Sequence, residues 1–86
     1  MPKVFVAIQN DGILGLFSSV VSADNCIKQV VKEFYKNGNP YGTCYFKVYS
    51  YEIDDERFSC YQPESMYRFS EGNLIDSSTC KVVEVI

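Results

Sequence analysis

Along residues 3–9, KVFVAIQ, apolar side chains fall on both sides of an extended chain, with Val4, Val6 and Ile8 on one face and Phe5 and Ala7 on the other. This pattern predicts a strand whose two faces can both be covered. Asn10-Asp11-Gly12 follows. Asn and Asp before Gly tolerate the positive φ that a tight hairpin needs, so Ile13 to Phe17 reads as the return strand. The period then changes. Ala23, Ile27, Val30 and Phe34 recur at helical spacing, with Val20, Cys26 and Val31 widening the stripe. Asp24, Lys28, Lys32, Glu33 and Lys36 fall outside it, so the spacing predicts an amphipathic helix. Ser19 stands where its hydroxyl can accept from the free N–H groups of the first turn. Asp24 near the start and Lys36 near the end suit the macrodipole. Asn37-Gly38-Asn39-Pro40 supplies a stop near Asn37.

Thr43 to Asp54, TCYFKVYSYEID, is the longest β-type run. Tyr45, Lys47, Tyr49, Tyr51 and Ile53 alternate against Cys44, Phe46, Val48, Ser50 and Glu52. Neither set is cleanly polar, which leaves two readings open: a bulge that swaps the faces, or a second packing partner. Between Asp55 and Thr79 the segments RFSCY and MYRFS read as short strands of a hairpin around Gln62-Pro63-Glu64-Ser65. Glu71-Gly72-Asn73 is a further turn signal. Cys80 to Ile86 reads as a closing strand. The expected fold is a single α+β domain over residues 1–86. It is a two-layer arrangement in which an antiparallel sheet carries one helix on one face, in the order ββαβ followed by two or three further short strands. One helix covers one face. An opposite face bearing Tyr45, Tyr49 and Tyr51 would then need a partner, a second copy of the chain, or the 55–79 segment. The expectation is a homodimer or larger assembly.

Composition adds three constraints. The chain has 86 residues, 47% of them hydrophobic and 15% aromatic, which argues for a folded domain of small core and against disorder. The formal net charge of −3 is uneven: residues 1–43 hold four basic and three acidic side chains, residues 44–86 four and eight. An acidic balance disfavours direct nucleic-acid binding, which needs clustered Lys and Arg, and suits a protein partner with a basic surface. Met1-Pro2-Lys3 leads straight into the first strand, with no secretory or membrane-spanning pattern. The expected location is therefore cytoplasmic, with no membrane partner.

Candidate chemistry is sparse. The chain contains no His, and so lacks the commonest proton-transfer group near neutral pH. Cys26, Cys44, Cys60 and Cys80 show no C-x-x-C pair, so no zinc site is expected and reduced thiols are the default, with Cys26 a packed core thiol. Asp54-Asp55-Glu56, with Glu52 and Glu64 nearby, lacks the alternating spacing of a calcium loop. It reads as a solvated turn or as an acidic patch for a basic partner. Arg57-Phe58 and Tyr67-Arg68-Phe69 put the chain's two arginines beside rings. That pairing serves nucleotide sites and protein interfaces alike, and equally an ordinary surface. Gly12-Ile13-Leu14-Gly15 lacks the lysine and the following helix start of a phosphate loop. No catalytic residue, cofactor or metal is expected.

The stretch VFVAIQNDGILGLFSSVVSADNCI resembles the opening of many small uncharacterised bacterial and bacteriophage proteins. In these a strand, a Gly-bearing turn, a second strand of the Leu-Gly-x-Phe-Ser-Ser type and a helix precede a Tyr- and Ile-rich strand. The matching residues are Leu14, Gly15, Leu16, Phe17, Ser18, Ser19, Ala23 and Ile27, with YSYEID as the later strand, so the likeness spans roughly residues 3–54. It carries no catalytic motif. It implies a cytosolic accessory protein of phage type, a class that includes inhibitors of host defence. Three functional expectations result. The first is a non-enzymatic protein that binds and inhibits a host defence protein through an acidic, tyrosine-rich surface. The second is an oligomer that sequesters a nucleotide second messenger between Tyr, Lys47, Arg57 and Arg68. The third is a structural subunit of a larger assembly. The residues expected to carry binding are Tyr45, Lys47, Tyr49, Tyr51 and Glu52 on the long strand, Asp54, Asp55, Glu56 and Arg57 after it, and Tyr67 and Arg68.

Overall fold

The computed structural model describes residues 3–10, 12–35, 43–52 and 63–85. Within them one helix packs against a six-stranded antiparallel sheet. The elements are β1 (Lys3–Gln9), β2 (Gly12–Phe17), α1 (Val20–Phe34), β3 (Cys44–Glu52), β4 (Ser65–Ser70), β5 (Asn73–Asp76) and β6 (Lys81–Val83). Side by side the strands run β2-β1-β3-β4-β5-β6.

The N-terminal hairpin forms as its residues dictate. Asn10 takes the left-handed conformation at φ 51°, which Asn accepts at little cost. Pairing runs from Phe5 opposite Phe17 to Ala7 opposite Gly15, then slips so that Ile8 faces Ile13, leaving Leu14 as the extra residue of a bulge. A Cβ on Gly15 would stand 2.9 Å from the Phe17 ring, so only glycine lets that ring lie where it does. Ser19, in extended conformation, caps α1 by accepting from the Ser22 N–H at 3.2 Å. Ala23, Ile27 and Val31 are fully buried against the sheet. Among the strands they meet are Phe46 and Val48 of β3 and Phe69 of β4, none more than 1% exposed. Burial of such side chains is the main source of stability, about 1.5–3 kcal/mol for each large one.

Several expectations need correction. Phe34 was expected in the stripe but is 72% exposed, with Val31 taking the buried place. The contact follows the inclined i, i+4 row through 23, 27 and 31, which drifts around the helix and carries Phe34 off the sheet. The helix ends at Phe34 with Tyr35 as its cap, ahead of the expected Asn37. Tyr35 turns its ring onto Phe69, centroids 5.3 Å apart. The stop signal at 37–40 lies outside the described residues. Cys26 is half-buried, and the core thiol is Cys44. Burial still pushes the Cys26 thiol up from its ordinary value. Asp24 lies beyond the first turn, where no acid stands.

In β3 the register to β1 runs unbroken from Glu52 to Phe46. The bulge lies in β2 instead, so both faces of β3 are apolar without one. MYRFS is β4, yet its hairpin partner is β5, across Glu71 and Gly72, both with positive φ at 53° and 84°. Two such residues in succession make the primed turn that matches strand twist. RFSCY lies outside the described residues. The closing strand is shortened to Lys81–Val83, because Cys80 sits at φ 59° in a turn closed by its N–H to the Asp76 carbonyl at 2.7 Å.

Candidate functional site

The strand register deals the side chains to two faces. Cys44, Phe46 and Val48 of β3 face α1, opposite Phe69, Tyr67 and Ser65 of β4. Tyr45, Lys47, Tyr49 and Tyr51 therefore stand on the other side, where no described helix lies. Across from them β1 sets Val4 opposite Tyr51, Val6 opposite Tyr49 and Ile8 opposite Lys47. On the other flank Arg68 is opposite Tyr45 and Met66 opposite Lys47. The same face continues outward through Ile75 and Val82 on one flank, and through Leu16 and Ile13 on the other.

This face is apolar and aromatic. Tyr45, Tyr51, Met66, Ile13, Leu16 and Val82 are all exposed, while Val6 is shielded between Leu16 and Tyr49. The rings of Tyr49 and Tyr51 lie 6.3 Å apart and tilted by 39°. Asn10 positions Tyr45: its N–H donates to the Tyr45 carbonyl at 2.9 Å and its Oδ1 accepts from the Tyr45 N–H at 3.2 Å. Directly opposed Cβ atoms in a sheet are about 5 Å apart, so the Arg68 guanidinium is within reach of the Tyr45 ring. Among the described strand residues, this face carries the cations Lys47 and Arg68 and no carboxylate.

The remaining candidates separate from it. Tyr67 is a correction: the register puts it opposite Phe46 on the helix side, where it is 8% exposed. Burial, with Asp24 and Asp76 beside the phenol, pushes its pKa up to about 12. Asp24 Oδ1 is itself buried without a hydrogen-bond partner. Glu52 pairs across from Lys3 on the helix side, and the Ser50 hydroxyl donates to the Glu64 carboxylate there at 2.8 Å. Asp54, Asp55, Glu56 and Arg57 lie outside the described residues. Sequence reasoning missed Ile13, Leu16, Met66, Ile75 and Val82 as members of the open face. For Met66 and Ile75 the signal was simple alternation with Arg68 and Leu74. For Ile13 and Leu16, three residues apart, only the bulge at Leu14 puts both on one side.

The helix side holds a second polar feature. Gln9 Nε2 donates to the Tyr35 hydroxyl and to Cys44 Sγ, the latter at 3.1 Å. These bonds satisfy polar atoms at the end of the core and aim nothing outward. Among the described residues no group of three or more His, Cys, Asp or Glu side chains is arranged to hold a metal ion, and no helix is long and apolar enough to cross a membrane. Comparison with protein-family models, curated proteins and solved structures finds no match to this chain.

Proposed function

We propose that the chain is a non-enzymatic binding protein, of the phage accessory type that its first half resembles, and that it acts by laying its open sheet face on a protein of the host cell. In this reading the architecture is two layers in the order ββαβ plus three strands, the third layer being the partner. The observation that carries it is the set Tyr45, Tyr49, Tyr51, Met66 and Arg68 on one face without a carboxylate among the described strand residues. Interface centres are enriched in Tyr, Met and Arg and poor in Asp and Glu, because rings and guanidinium groups bury much area at low entropic cost. Lys47 and Arg68 match an acidic counter-surface. A basic one would have to be met by Asp54, Asp55 and Glu56. The test compares capture of host proteins by the native chain, by Tyr45→Ser/Arg68→Glu and by the helix variant Phe34→Ser. The open-face variant should lose its partner by about tenfold or more while Phe34→Ser keeps it. Equal capture by all three would overturn the reading.

A second reading is favoured by one observation, the placement of Arg68 opposite Tyr45 with Lys47 two residues along. A ring and two cations can stack a base and hold a phosphate. A thermal-shift screen with cyclic and NAD-derived nucleotides separates the two readings. A sequestering protein should gain several degrees, and a protein-binding one should not move.

A further inference from the structure

We infer that β2 is a self-pairing edge: two copies of this chain join β2 to β2, antiparallel about a two-fold axis, and so continue one sheet into the other. The pairing edge borders the proposed partner face, to which Ile13 and Leu16 also belong, but the inference is read out by self-association and does not rest on a host partner.

The outermost strands are β2 and β6. Sheet edges expose unpaired N–H and C=O groups, and proteins blunt them with short strands, charge or proline. The β6 edge is blunted on two counts, having three residues and Lys81. In contrast, β2 is six residues long, GILGLF, with no charge and no proline. Among the described residues no strand pairs with its outer side. Ile13 and Leu16 stand beside that edge 69% and 65% exposed, apolar area that a neighbouring strand would partly cover.

Register supplies the second argument. Gly12, Gly15 and Phe17 lie on the helix face, opposite Gln9, Ala7 and Phe5, while Ile13 and Leu16 lie on the open face. A two-fold pairing that overlaps the whole strand puts Ile13 opposite the second copy's Leu16, Gly12 opposite its Phe17, and Leu14 opposite its Gly15. Like faces then meet like faces on both halves. A slip of one residue sets Ile13 against a residue of the wrong face, which burial forbids. A bulge ordinarily disrupts an edge. Here it reverses the alternation at the strand centre, and that reversal is what makes the strand self-complementary. Neither copy brings a charge to oppose its twin, so no repulsion resists the pairing. The two open faces, with Tyr45 and Arg68 in each, would form one surface.

The experiment is sedimentation equilibrium across micromolar concentrations, with circular dichroism as a control for folding. The native chain should show a dimer mass. Ile13→Lys and Leu16→Glu should each weaken the dimer by about tenfold or more, and the double variant should regain it to within about threefold, since each new charge then meets its opposite across the axis. Met66→Glu, on the open face but away from β2, should leave the dimer intact. Amide exchange in the native chain should slow within β2 as concentration rises. A monomer mass throughout, dissociation by Met66→Glu to the same extent, unweakened single variants or no recovery in the double variant would each overturn the inference.

Discussion

The two faces of β3 use similar side chains and reach different ends. Toward α1, Cys44, Phe46 and Val48 are sealed, at most 1% exposed. Away from it, Tyr45 and Tyr51 remain in water. Both sets alternate perfectly, and the open one is the more polar, with its tyrosine hydroxyls and Lys47. What separates them is that the chain has one described helix to spend. A helix is about 10 Å across, while six strands spaced about 4.8 Å apart make a sheet roughly 24 Å wide. Tyrosine suits the uncovered side, because its hydroxyl keeps water contact while its ring covers apolar neighbours on the sheet.

Deleting a large side chain from each face should give opposite results. Phe46→Ala should cost about 3–5 kcal/mol in urea denaturation, enough to threaten folding of so small a domain. Tyr45→Ala, one residue earlier, should fall within about 0.5 kcal/mol of native. A comparable loss from both would mean that the open face is already packed. On α1 the same contrast sets Ile27→Ala, at about 2–5 kcal/mol, against Phe34→Ala, within about 0.5 kcal/mol.

Tyr67 tests the helix side by pH. Its phenol keeps its proton up to about 12 in the folded chain, against an ordinary 10. Between those values the unfolded chain gives up a proton that the folded chain retains. This contribution to stability is therefore whole below pH 10 and lost as pH rises from 10 toward 12, by about 2 kcal/mol. Tyr67→Phe should flatten that stretch of the pH profile and remove one late-titrating phenol from the ultraviolet absorbance titration. Ser19→Ala, which strips the cap bond to Ser22, should cost about 1 kcal/mol by thermal denaturation. The smallest expected effect is at Asp76, whose carboxylate is held below its usual range by the Ser78 hydroxyl and N–H. Asp76→Ala should lose stability at neutral pH, and the difference from native should shrink as acid protonates the native carboxylate.

Much of this was legible in the residues. Extended apolar patterning placed β1 and β3, and the Asn-Asp-Gly turn placed β2. Ser19 marked the start of α1, and the faces of β3 were sorted correctly because a continuous strand has no other choice. The failures came where sequence spacing meets a second element. Phe34 satisfies helical periodicity and is exposed all the same, because the angle at which α1 crosses the sheet selects the buried row. Tyr67 looked like Arg68's companion but belongs to the core, since neighbours on a strand point apart. β5 was missed because four residues, NLID, carry too short a pattern. The Glu71-Gly72 turn that precedes them was visible.

Local chemistry alone was enough to show that β1, β2 and β3 extend, that turns fall at Asn10 and at Glu71-Gly72, and that Ser19 caps the start of α1, but not the positive φ of Cys80 or the helix end at Tyr35. The former depend on each residue and its near neighbours. Long-range pairing was needed to set Glu52 opposite Lys3, to stand Arg68 opposite Tyr45, and to bring Ile13 and Leu16 onto one face across a bulge. Each of these rests on strand order and register, which are set when distant segments pair and one helix must choose a side.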